Sequence, residues 1–126
     1  MGYHILDPAD LDDSPDHPCD RRSITEAAEL AQLAAAVYTL DPGEQLAAQY
    51  HYHEQREEVF YVLDGELHVE TPEETFVVSA DEVFVAEPES PIRPYNPEDA
   101  ETATRVFGVG APKFDIGRAY DPGERT

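Results

Sequence analysis

The sequence predicts an all-β domain, a barrel or a sandwich, and three observations carry that reading. From Gln49 onward apolar and polar residues alternate with period two in short runs, the pattern of strands that bury one face. Turn-forming residues separate the runs, notably Asp64-Gly65, a pair that favours a type I′ hairpin, and Pro72-Glu73-Glu74. Strands this short and evenly spaced are antiparallel and belong to a sandwich or barrel. A chain of 126 residues is one domain with one core.

In chain order, residues 1–22 hold Pro8, Pro15 and Pro18 among many Asp residues and read as an extended acidic arm without a helix of its own. Tyr3, Ile5 and Leu11 are its means of docking on a sheet. Ser23 followed by Glu26 is a capping-box pattern, and the alanines beyond it favour helix. Val37, Tyr38 and Thr39 then bring β-forming residues up to the turn signal Asp41-Pro42-Gly43. The segment therefore divides into a helical turn over 24–29 and a strand over 32–40. Strands follow at 49–53, 58–63, 66–71, 75–79, 82–86, 92–95 and 102–109. Alternation is lost after Gly110, so 113–126 reads as a surface tail with Phe114, Ile116 and Tyr120 as possible anchors.

Residues 50–65, YHYHEQREEVFYVLDG, are the chemically distinctive stretch. His51 and His53 are two residues apart, so on a strand both imidazoles leave on one side while Tyr50 and Tyr52 leave on the other. Glu58 opens the next alternating run, where a short connection brings its carboxylate back opposite the imidazoles. Two histidines and one carboxylate on a rigid sheet suit a divalent transition metal with open coordination positions. Glu57 competes with Glu58, but parity counted back from Gly65 favours Glu58 and sends Glu57 to the solvated face. Phe60 and Val62 share the parity of Glu58 and line the same pocket, an arrangement equally compatible with plain core packing. His68 alternates with Glu66 and Glu70 and reads as a surface residue; His4 and His17 lie in the acidic arm. No Ser-His-Asp set, phosphate-binding glycine loop or Cys-His pair can be assembled.

The run from Gly43 to Gly65 resembles the first motif of the cupin superfamily, G-x5-H-x-H-x3,4-E-x6-G. His51, His53, Glu58 and Gly65 match, while seven rather than five residues separate Gly43 from His51. The resemblance implies a double-stranded β-helix, a jelly-roll barrel, over about residues 32–112, and it also supports the division of 24–40 into helical turn and strand. It implies that His51, His53 and Glu58 bind a divalent ion (iron, manganese, nickel or zinc) inside the barrel. It further implies a homodimer, with outer apolar positions such as Tyr50 and Tyr52 covering a partner subunit. The second cupin motif, G-x5-P-x-G-x2-H-x3-N, has the right length from Asp81 to Asn96 but few of its residues: Asp81 and Glu89 stand at the glycines, Glu87 at the proline and Ile92 at the histidine. Ile92 has no lone pair, so the fourth protein ligand is missing, and Glu89 at a glycine points to a different turn. Ile92 and Asn96 join Phe60 and Val62 as pocket-lining residues, and Arg93 and Tyr95 flank the missing histidine, where a salt bridge is the expected use of Arg93. Two function classes stay open: a metal-dependent enzyme such as an oxygenase or isomerase, and a binding or sensing cupin that captures a small molecule with its metal lost.

Composition bounds the rest. The chain has 28 Asp and Glu against 8 Lys and Arg, a formal net charge of -20, and Lys113 is its one lysine. Self-repulsion of that size destabilises a compact domain in dilute buffer, whereas molar salt shortens the screening length to about 3 Å. The balance is that of a cytoplasmic protein from an extreme halophile; disorder, the other reading of acidic composition, is opposed by the strand pattern. Binding to nucleic acid or an anionic membrane is disfavoured without clustered cations, and no run reaches the roughly 20 apolar residues of a membrane span. The acidic N-terminus has no signal-peptide pattern. Cys19 is the only cysteine, so no internal disulfide forms, and it is expected to be an exposed, incidental thiol.

Overall fold

A computed structural model describes residues 2–122, so the last residues of the expected tail, 123–126, lie outside it. Ten strands are present among the described residues: β1 Asp20–Ser23, β2 Ala34–Leu40, β3 His51–Tyr52, β4 Glu57–Asp64, β5 Glu66–Glu70, β6 Thr75–Ser79, β7 Val83–Ala86, β8 Arg93–Tyr95, β9 Thr104–Ala111 and β10 Arg118–Ala119. One short helix, α1 Ile24–Ala28, follows β1. Its start is the expected one, with the Ser23 side chain accepting from the Glu26 amide, and it ends at Glu29 in the left-handed region.

The strands form a double-stranded β-helix. A five-stranded sheet runs β1-β2-β9-β4-β7 and faces a three-stranded sheet β6-β5-β8, while β3 pairs with β10. Bridges from His51 to Ile92 and from Gln45 to Tyr95 attach the 45–52 stretch to the free edge of β8. Alternation decides what faces in. Phe60 and Val62 of β4 and Val106 of β9 meet Leu67, Val69 and Val78 of the opposite sheet in one core with Leu40, Leu46 and Ile92. Glu66, His68 and Glu70 take the outward parity of β5, as the pattern requires.

Three expectations are corrected. The acidic arm is not extended throughout: Pro8–Asp10 forms a 3-10 turn, and Asp20–Arg22 belongs to β1, which pairs with β2 in register Asp20↔Thr39. The partners lie 13 to 19 residues apart in sequence, so the local Asp and Pro content conceals the pairing. Tyr3 and Ile5 stay exposed. Cys19 is not exposed but 5% accessible, and its thiol faces the Leu46 carbonyl; burial, with nearby Glu44 and Asp20, pushes its pKa up to about 12. Finally, Asp64-Gly65 is no hairpin turn, because β4 pairs with β7 and β9 and β5 pairs with β6 and β8. It carries the chain from one sheet to the other, whereas Pro72-Glu73-Glu74 does close the β5–β6 hairpin. No helix is long and apolar enough to cross a membrane among the described residues.

Candidate metal centre

Two neighbouring segments bring His51, His53 and Glu58 together. His51 of β3 and His53, just past the strand's end, present their imidazoles to one side, their centroids 5.1 Å apart and their planes at 89°. β4 presents Glu58 with the inward parity of Phe60 and Val62. One ligand atom from each of His51, His53 and Glu58 lies within 4.8 Å of the other two. Glu57 is exposed on the other face of β4, and Glu58 is the acid that faces the two histidines.

The hydrogen bonds show that these atoms are uncommitted. His51 Nδ1 lies 3.1 Å from the Gln49 carbonyl and His53 Nδ1 lies 2.9 Å from the Asp115 carbonyl. A carbonyl oxygen only accepts, so in both rings the proton sits on Nδ1 and the Nε2 lone pair is free. His53 Nε2 is 3.9 Å from Glu58 Oε1, too far for a hydrogen bond. Burial shifts all three toward their neutral forms. Desolvation lowers the pKa of His51 and of His53, and in His53 it outweighs the attraction of Glu58. Desolvation likewise raises Glu58 despite His53 and Arg56 nearby. Neutral imidazoles and a buried carboxyl whose charge wants a partner form a donor set that fits a divalent cation.

Arg56 and the chain end complete the surroundings, and the sequence reading identifies neither. Arg56 lies across Gly110, where a Cβ would sit 2.8 Å from its Cδ. Its guanidinium donates to the Pro112 and Lys113 carbonyls and sits 3.9 Å from Glu58 Oε2. The expected surface tail instead folds back over the histidines: β10 pairs with β3 in register Arg118↔Tyr52 and Ala119↔His51. Gly117 passes close enough that a Cβ there would lie 3.3 Å from His51 Cδ2. Of the proposed anchors, Phe114 and Ile116 are exposed, while Tyr120 packs on Tyr50 at 4.8 Å. These contacts are made largely by main-chain atoms, which leave no mark on the sequence.

The remaining candidates separate. Ile92 is buried beside the site, its amide and carbonyl both bonded to His51. Phe60 and Val62 point inward and are packed within the core. Asn96 does not share their surroundings: four residues along from Ile92, it donates to the Leu40 and Thr102 carbonyls and borders a different cavity, beside Gly65 and Thr104. Its role there is to satisfy buried backbone. Arg93 is held by Glu70 at 2.6 Å and Gln45 at 2.8 Å. Glu89 and Asp81, at the motif's glycines, have φ of +67° and +70°. The turn geometry is therefore retained by side-chain-bearing residues, and at Glu89 it lets the amide donate to the His53 carbonyl at 2.6 Å.

A cleft of about 610 Å³ opens between β6 and β7, walled by Phe76, Phe84, Ala86 and Ile92. It is not lined by His51, His53 or Glu58. It backs onto them, because Ala86 pairs with Glu58 and Ile92 bridges to His51. The sequence profile of the Cupin domain family matches residues 36–107, more than half the chain. The protein belongs to the cupin family. No curated protein sequence matches it. Among solved structures, this cupin is similar to the polyketide cyclase RemF from Streptomyces resistomycificus, with TM-score 0.79 and 19% identity over 95% of this chain and 87% of that one. It is also similar to KdgF from Halomonas sp., with TM-score 0.72 and 21% identity over 90% and 96%. A sugar phosphate isomerase from Silicibacter pomeroyi gives TM-score 0.71 and 18% identity over 82% of this cupin, which spans 66% of that chain, just under two thirds. Identities this low show the shared barrel.

Proposed function

We propose that this cupin is a mononuclear metal-dependent enzyme acting on a small organic molecule, with His51, His53 and Glu58 as the metal-binding residues. The observation that carries the reading is the convergence of three donors with both imidazole Nδ1 positions already tied to carbonyls. In this reading His51 and His53 offer Nε2, and Glu58 offers the one negative charge of the set. A bound divalent ion would supply Lewis acidity toward an oxygen of the organic molecule. The protein excludes water on one side with Ile92 and on the other with the passage of Gly117. Two similar structures, an isomerase and a cyclase, support an isomerisation or a ring closure rather than a hydrolysis.

The cleft behind the site bears on the substrate. Glu73, Glu87 and Glu89 stand among its lining residues and no lysine or arginine does, which supports a neutral or cationic molecule over a phosphorylated one. A second reading rests on Ile92: with an alkyl side chain at the family's fourth ligand position, this cupin is a binding or sensing protein that holds no metal. We further propose that it works in the cytoplasm of a high-salt cell and pairs with a second copy through the outward apolar side chains Val59, Val83 and Val85, the last two of which also line the cleft, so that the second copy walls one side of it.

Elemental analysis of protein purified in molar salt separates the readings. The expected result is about one equivalent of iron, manganese, nickel or zinc, lost in the His51→Ala, His53→Ala double variant. Equal trace metal in both proteins overturns the enzyme reading and leaves the binding one.

A further inference from the structure

Asp115 makes three contacts with the segment that carries the histidines and the acid. Its main-chain carbonyl accepts from His53 Nδ1 at 2.9 Å. Its carboxylate Oδ2 accepts from the amides of Gln55 and Arg56, both at 2.6 Å. Gln55 and Arg56 lie in the connection between His53 and Glu58, so one residue grips a ligand candidate and also the loop that sets its distance from the next. Nothing else in that loop is regular: β3 ends at Tyr52 and β4 starts at Glu57. The same tail is held on either side, by Arg56 donating to the carbonyls of Pro112 and Lys113 and by β10 pairing with β3.

We propose that Asp115 is the positioning residue of the His51-His53-Glu58 centre: its carboxylate pins the 54–56 loop and thereby keeps its own carbonyl where it holds His53 in the Nδ1–H tautomer, with Nε2 turned to the common space. This inference rests on the metal reading of the site, but the tautomer it assigns exists without metal. The physical case is one of direction. An imidazole free to exchange tautomers, or to rotate, presents a lone pair to the site for only part of the time; a carbonyl fixed against Nδ1 presents it always. Partners that orient a ligating histidine typically change metal affinity about 10- to 100-fold when removed. The Asp115 side chain touches no ligand atom itself, so its positioning effect runs through His53 and the loop.

The test uses the full chain with Asp115→Ala and Asp115→Asn. The asparagine retains a side-chain oxygen that can accept from both amides, so it is expected to behave as the native protein does. In the metal-free protein, long-range 1H–15N correlation at the imidazoles is expected to show Nδ1–H at both His51 and His53. Asp115→Ala is expected to lose that pattern at His53 and keep it at His51, whose partner is Gln49. Cobalt(II) affinity, read from its visible absorption, is expected to fall about 10- to 100-fold in Asp115→Ala and to stay near native in Asp115→Asn. An Asp115→Ala protein with native cobalt affinity and an unchanged His53 overturns the proposal. A native protein that binds no cobalt overturns the metal reading alone; the His53 tautomer then decides the inference, its persistence in Asp115→Ala refuting it and its loss supporting it. Should Asp115→Ala fail to fold, hydrogen exchange in the native protein decides: slow exchange at Gln55 and Arg56 is expected from their carboxylate bonds, and fast exchange at both overturns the proposal.

Discussion

Gly65 illustrates how single positions constrain this barrel. Its φ is +77°, and a Cβ there would lie 2.8 Å from the Ala103 carbonyl and 3.0 Å from Thr104 Oγ1. Left-handed backbone costs a residue with a side chain about 1 to 2 kcal/mol, and overpacking against fixed backbone costs about 1 to 3 more. Gly65→Ala is therefore expected to destabilise the fold by about 2 to 5 kcal/mol, measured as a shift of the urea midpoint in high salt; an unchanged midpoint would show that the crossover can relax. Glu89 is the opposite case. It occupies φ +67° with a full side chain and holds the His53 carbonyl through its amide, so strain of the kind Gly65 avoids is tolerated next to the histidines.

Among the elements, β7 and β10 matter most beyond the core. β7 is an edge strand, and its outward Val85 and Val83 stand opposite Val59 and Tyr61 of β4 in register. An edge carrying exposed apolar side chains is an aggregation liability unless something covers it. In the proposed dimer the covering surface is a second copy, so sedimentation in molar salt is expected to give a dimer for the native chain and a monomer for Val85→Asp. A native monomer would contradict that assembly. β10 is only two residues long, Arg118–Ala119, yet it seals the histidine side of the barrel by pairing with β3. Short elements of this kind have too few residues to display a period, which is why the sequence shows a tail where the fold has a strand.

For the whole molecule the dominant fact is the charge of -20. Few of the acids are paired with cations: Arg22 with Asp20, Arg93 with Glu70 and Arg118 with Glu54 are the close pairs among the described residues. The rest repel one another over distances that dilute salt leaves unscreened. The thermal unfolding midpoint is therefore expected to rise between low and molar potassium chloride, through screening of like charges. A midpoint independent of salt would remove the halophilic reading without touching the fold.

Period-two alternation was enough to predict a β barrel or sandwich, the spacing of His51, His53, Glu58 and Gly65 carried the resemblance to cupins, and side-chain parity, a local property of a strand, put Glu58 and Glu57 on opposite faces. The helical turn after Ser23 was legible for the same reason. What the chain could not display was long-range main-chain pairing: the partnership of β1 with β2, the separation of β4 from β5 into different sheets, and the return of Asp115 and Gly117 to the histidines. Those contacts join backbone atoms far apart in sequence. Every residue carries an amide or carbonyl to offer, proline excepted as a donor, so only the folded path determines which of them meet.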